Sequence, residues 1–126
     1  MPLNIRETFP LTHEQAVTIL VEANWSPPER VVLCRSSATE LHNGAGLALR
    51  ENWYLTDKTF PLSRHYQRRF GLGHADDMSR LILSDFVARL RKQSYNVEQE
   101  ACVLRKHWTD QGVDPLTLER SPMRHP

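Results

Sequence analysis

Cysteine and glycine are scarce in this chain, charge of neither sign prevails, and no long apolar run occurs. The two cysteines, Cys34 and Cys102, form no C-x-x-C pair. That excludes a cysteine-based zinc ribbon and a thioredoxin-type redox motif. Two cysteines in a chain able to build its own core read as free buried thiols of a reducing compartment, with a single disulfide as the alternative. The five glycines include no phosphate-cradling loop, because Gly71-Leu72-Gly73 is too short and lacks the residues that should follow. H-E-x-x-H is absent as well. No apolar stretch approaches the roughly 18 residues of a membrane span, and MPLNIRETFPL lacks the apolar segment of a secretory leader. The expected location is the cytoplasm. A net charge of +1 and a pI near 7.9 leave no global field to draw the chain onto nucleic acid or membrane. Ser79 and Cys34 are the only tempting nucleophiles. The first belongs to a helical first turn and the second to an apolar run where a thiol is inert.

What is present is a well-punctuated helical pattern. With 40% apolar and 25% charged residues over 126 positions, the chain is long enough for one domain with a core of its own. Thr12–Gln15, Ser26–Glu29, Ser37–Glu40 and Asn96–Gln99 each read as a capping box. Ala16, Val17, Ile19, Leu20 and Ala23 follow the first box at helical spacing, after a lead-in that Ile5 and Phe9 can anchor. Val31 to Cys34 fits a buried strand or a helical turn, and the preceding cap favours the helix. Pro61 starts a helix with Leu62, Tyr66 and Phe70 on one side, which Gly71 ends. Asp76 is the expected N-cap of the next helix, with Asp77 in its positive first turn. Leu81, Ile82, Leu83, Phe86, Val87 and Leu90 mark that helix as deeply buried. Val97, Ala101, Leu104 and Trp108 line a final one, closed by Gly112. The pattern predicts an all-α, compact, single-domain orthogonal bundle of about five to six helices over residues 1–112. A proline-containing tail over 113–126 is expected to lie along the surface or fray.

Leu41 to Leu55 stands out as the stretch around which a site is organised. His42, Gly46 and Arg50 are four apart and share a helix face. The missing side chain at Gly46 leaves a notch between imidazole and guanidinium that fits a carboxylate, a phosphate or a partner's side chain. The plainer alternative is that Gly46 admits a neighbouring helix while His42 and Arg50 satisfy local groups. His74, Asp76 and Asp77 form a second marked stretch. With His42 they resemble a two-histidine, carboxylate metal set, but no paired histidine spacing supports it, so capping is the preferred role and neither metal nor cofactor is expected. Arg64, His65, Arg68 and Arg69 form a basic face, either solvated or able to hold phosphates. Trp25, Trp53 and Trp108 read as core and interface mass.

The order L-H-x-G-x-G-x-x-L-R, W-x-L and H-x-D-D-M-S-x-x-I resembles a small helical family of bacteria and phages catalogued as a domain of unknown function. His42, Gly46, Arg50, Trp53, His74, Asp76, Asp77 and Ser79 match its pattern. Glu51 stands where that family has asparagine, with Asn52 following, and Ala75 replaces its proline. The resemblance covers about residues 11–91. It implies an all-α fold that pairs the two marked stretches, and no activity.

The leading functional expectation is a non-enzymatic protein-binding module, an accessory or inhibitor, that uses His42, Gly46, Arg50, Asn52, Trp53, Asp76 and Asp77. Monomer and homodimer both remain open. The alternative is a hydrolase or transferase acting on a phosphate-bearing or nucleotide substrate, with His42 or His74 as acid/base, Arg50 as anion clamp and Asp77 or Asp76 orienting. Nucleic-acid binding through Arg64, Arg68 and Arg69 is the third reading.

Overall fold

In the computed structural model, residues 9–120 are described. The expected anchor Ile5 and the end of the tail lie outside them. The helices are α1 (His13–Glu22), α2 (Pro27–Arg35), α3 (Ala38–Leu41), α4 (Leu47–Asn52), α5 (Pro61–Phe70), α6 (Ala75–Leu90) and α7 (Val97–Asp110), with a π segment, His42–Gly46, between α3 and α4. Because α3, the π segment and α4 run on without a break, the architecture is an all-α bundle of six helices. The described residues contain no strand beyond an isolated bridge between Val113 and Arg120.

The helix starts follow from local chemistry. Ser26 and Ser37 head complete capping boxes, each accepting a backbone N–H from the glutamate three residues on, which reaches back in turn. The other two boxes close on one side only. Thr12 accepts the Gln15 N–H, while the Gln15 side chain takes the Leu11 N–H instead of that of Thr12. Asn96 accepts from Gln99. Residues 31–34 are helical, as their cap favours, but only Leu33 of α2 is buried and Val31 and Val32 lie exposed.

The central element of the core is α6, which packs against every other helix. Met78, Leu81, Ile82, Leu83 and Phe86 are its innermost side chains. Trp25 lies against Phe86 and gives its indole N–H to the Leu20 carbonyl at 2.8 Å, which joins the end of α1 to α6. α5 buries Leu62, Tyr66 and Phe70 and stops at Gly71, whose φ of +66° suits a residue without Cβ.

The described part of the tail, residues 113–120, lies on the surface and is pinned there. Val113 is buried, and the Pro115 carbonyl accepts the Gly73 N–H at 2.8 Å. The approach is so close that a Cβ on Gly73 would stand 1.9 Å from the Leu116 carbonyl oxygen. Cys34 is half-buried and Cys102 exposed, both as free thiols, so the second is not the buried residue expected. Its place on the outer side of α7 is the reason. No helix among the described residues is long and apolar enough to cross a membrane.

Candidate functional site

A cleft of about 600 Å³ opens between the π segment, the first turns of α6 and the inner face of α7. His42, His74, Asp76 and Asp77 line one side, and Glu100, Val103, Leu104, His107 and Trp108 line the other. The two marked stretches of the sequence therefore meet in one place.

Arg50 lies beneath this cleft. Its side chain points back toward the helix N-terminus, the ordinary direction for a long helical side chain, and covers Gly46. Nη1 donates to Ser79 Oγ at 2.9 Å and Nη2 to the His42 carbonyl at 3.1 Å, while Nε lies 3.3 Å from Asp76 Oδ1. A Cβ on Gly46 would stand 2.9 Å from Arg50 Nη1. The notch expected at Gly46 thus exists and is occupied by the chain's own guanidinium. Gly44, by contrast, is exposed and has nothing near it. The π geometry belongs to this arrangement: π turns recur where a helix widens to serve a local need, and here the His42 carbonyl takes a guanidinium N–H.

Arginine can only donate, so its 3.4 Å approach to His42 Nδ1 makes that nitrogen the acceptor and leaves the His42 proton on Nε2. Nε2 then faces Asp76 Oδ2 at 3.9 Å, too long for a hydrogen bond. The N-cap of α6 is His74, and the expectation of Asp76 there is corrected. His74 has extended backbone angles, and its Nδ1 accepts the Asp76 N–H at 3.0 Å, so Asp76 already sits inside the first turn. His74 Nδ1 is turned to that N–H, and its 3.9 Å separation from Asp76 Oδ2 is too long for a hydrogen bond.

Asp77 is nearly buried, and its Oδ2 accepts the Trp108 indole N–H at 2.7 Å. Burial pushes its carboxyl above the usual aspartate value, with the Trp108 bond acting the other way. Trp108 also stacks on His74, with ring centroids 5.6 Å apart and planes 22° from parallel. One indole thereby holds both His74 and Asp77.

The other expected residues fall elsewhere. Trp53 is 1% exposed and belongs to the core, so it offers no surface to a partner. The Asn52 side chain turns back to the Ala48 carbonyl at 2.9 Å. On α5, Arg69 lies over the Phe70 ring and pairs with Glu14 and Glu98, whereas Arg64 and Arg68 face solvent. Among the described residues, no group of three or more histidine, cysteine, aspartate or glutamate side chains is arranged to hold a metal.

A buried polar network escapes the sequence reading altogether. His13, fully buried, has Nδ1 2.6 Å from the Tyr66 hydroxyl and Nε2 2.7 Å from Asp85 Oδ2. Arg89 closes it on Asp85 Oδ1 at 3.3 Å. Asp85 can only accept while ionised, so Nε2 carries a ring proton toward it, and the Tyr66 hydroxyl, able to donate or to accept, satisfies Nδ1. The signal available in the sequence was Asp85 itself, a carboxylate inside the apolar run of α6. Such a group demands a partner.

No curated protein and no solved structure matches the chain. A family model does, over residues 9–90, a span that takes in His42, Arg50, His74, Asp76 and Asp77. The chain belongs to that family, described as a domain of unknown function (DUF6794).

Proposed function

We propose that this protein is a binding module that receives a segment of another protein in the cleft between the π segment, α6 and α7. The observation that carries this reading is the commitment of Arg50. Its side chain is only 10% exposed and is bonded to Ser79, His42 and Asp76. It is therefore part of the cleft's foundation and is not free to clamp a substrate phosphate. The surface above it mixes apolar Val103 and Leu104 with Trp108 and the carboxylates of Asp77 and Glu100. Trp and partly desolvated charge beside apolar side chains is the composition of a protein contact. With Asp76 already neutralised by Arg50, the remaining acids outnumber Arg80. They suit a partner segment that presents lysine or arginine next to an apolar side chain.

A peptide array displaying lysine and arginine in varied apolar contexts tests this. The native protein should retain a subset that Glu100→Lys and Val103→Asp both lose while their melting temperatures stay near native. Retention of no peptide, or equal retention by the variants, would refute it.

A second reading, a hydrolase or transferase, draws on the raised Asp77 carboxyl opening onto the same cleft as the His42 and His74 imidazoles. It predicts a thermal shift with a nucleotide, a nucleotide sugar or a divalent metal that His42→Ala abolishes. Ligand at a hundred times its Kd adds about 2.7 kcal/mol, or several degrees. Flat curves across such a panel would leave the binding module alone.

A further inference from the structure

We propose that a second face, formed by α5 and the aromatic stack beside it, binds single-stranded nucleic acid. A groove of about 550 Å³ runs along α5, lined by Arg64, His65, Arg68 and Arg69 with Leu11 and Thr59 at its edges, and no carboxylate lines it. Arg69 is fixed by Glu14 and Glu98. The side chains of Arg64 and Arg68 have no ion-pair or hydrogen-bond partner among the described residues. They stand one helical turn apart, about 5–6 Å between Cβ atoms, where like charges repel. Two uncompensated guanidinium groups at that spacing suit successive phosphates of an extended strand. His65 adds a donor without adding charge. Its Nε2 accepts the His13 N–H at 3.0 Å, which leaves the proton on Nδ1, and burial with the nearby Arg69 disfavours a second proton.

The independent observation is the aromatic stack. Tyr54 lies between Phe60, at 4.3 Å between ring centroids, and Phe9, at 6.0 Å. Phe9 is 51% exposed and Tyr54 44%. Tyr54 also has a φ of +53°, a left-handed conformation uncommon for a bulky side chain and of the kind kept where a site requires it. Phe60 directly follows Thr59, and Phe9 lies two residues before Leu11, so the stack adjoins two residues of the groove's lining. Exposed rings beside a basic groove are what unpaired bases and their phosphates bind. A duplex hides its base faces, and a phosphopeptide brings a phosphate without a planar base, so a single strand fits this face best.

The test is fluorescence anisotropy of the full chain with labelled 15-nucleotide poly-dT and poly-U strands in low salt. A 15-base-pair duplex and a singly phosphorylated peptide serve as comparisons. The single strands should bind best, and Arg64→Gln with Arg68→Gln should reduce the log–log salt slope by about 1.4, at about 0.7 per phosphate. Tyr54→Asn removes the ring but keeps a residue that tolerates positive φ, and it should weaken binding roughly tenfold without moving the salt slope. Glu100→Lys, in the cleft of the first reading, should leave strand binding unaltered. Absence of strand binding would overturn the proposal. So would equal binding of duplex or phosphopeptide, or binding that survives both the double arginine variant and Tyr54→Asn. Melting curves of the variants establish that each is folded.

Discussion

The packing of Arg50 over Gly46 makes a sharp prediction, because one substitution should change sign when another is present. Alanine at 46 would bring its Cβ to 2.9 Å from Arg50 Nη1, 3.4 Å from the Leu41 carbonyl oxygen and 3.5 Å from Leu83 Cδ1. The last two are tolerable contacts and the first is a collision. The end of an arginine ordinarily swings aside at little cost. This one is held by Ser79 Oγ at 2.9 Å and the His42 carbonyl at 3.1 Å. Hydrogen bonds of a charged donor contribute about 1.5–3 kcal/mol each, and displacing Nη1 weakens both. Replacing glycine in a helix interior returns only about 1 kcal/mol. Gly46→Ala should therefore destabilise the native protein by roughly 1–2 kcal/mol, a fall in Tm of about 4–8 °C at this chain length. In an Arg50→Ala background the collision is gone, and the same change should stabilise by roughly 0.5–1 kcal/mol. The coupling, roughly 1.5–3 kcal/mol, lies in the range of residues in direct contact. Urea unfolding of the native protein, both single variants and the double variant measures it. Equal effects of Gly46→Ala in the two backgrounds, within about 0.5 kcal/mol, would refute the reasoning.

Tyr66→Phe should cost about 1–3 kcal/mol, since it leaves His13 Nδ1 buried without its partner; unchanged unfolding midpoints would exclude that bond. Burial holds the folded Asp77 carboxyl above its ordinary value of 3.8, so as pH falls the folded state takes up this proton before the unfolded chain does. Its contribution is therefore most favourable below the unfolded pKa and declines as pH rises through the raised folded value. Asp77→Asn should remove that decline, read as the difference in urea midpoint from native between pH 3 and pH 7. Gly73→Ala should lift the tail, because its Cβ would stand 1.9 Å from the Leu116 carbonyl oxygen. Tryptic cleavage at Arg120 should accelerate, and an unaltered rate would count against the pinned tail. Hydrogen exchange should find the amides of α7 opening well before those of α6, and uniform exchange across both would exclude local undocking of α7.

What could be read in the sequence is what short-range chemistry decides. Ser26, Ser37, Pro61 and Gly71 each mark a boundary through groups within a few residues, and the helices begin and end there. The face shared by His42, Gly46 and Arg50 was legible for the same reason. Which way Arg50 turns was not, because its acceptors include Ser79, 29 residues away. The cap of α6 was misread because aspartate is the commoner cap, while an imidazole nitrogen with its lone pair toward the Asp76 N–H does the same work two residues earlier. His13, in the first turn of α1, carries no local sign of its burial. Its partners Tyr66 and Asp85 stand 53 and 72 residues away, and spacing alone carries no information at that range.

The two walls of the cleft are held very differently. The wall made by the π segment and α6 lies within the residues matched by the family model, and α6 buries eleven of its residues. The other wall is α7, beyond that match, which buries only Ala101. Beside the apolar packing of Val97, Ala101 and Leu104, its ties are few: the Trp108 bond to Asp77, the stack of Trp108 on His74, the Arg105 bond to the Phe70 carbonyl and the exposed Arg69–Glu98 pair. An exposed ion pair adds at most about 1 kcal/mol, and an aromatic pair about 0.5–1.5 kcal/mol beyond its burial. The Trp108 bond to a nearly buried carboxylate and the Arg105 bond to a carbonyl, about 1.5–3 kcal/mol each, are the strongest of these. Trp108, which gives the cleft its aromatic surface, is thus also a tie that keeps the cleft assembled. A partner seated against both walls would strengthen that tie, because it can occupy the cleft only while α7 is docked. On the proposed reading, binding would therefore be coupled to the docking of α7, and the free energy of one would report on the other.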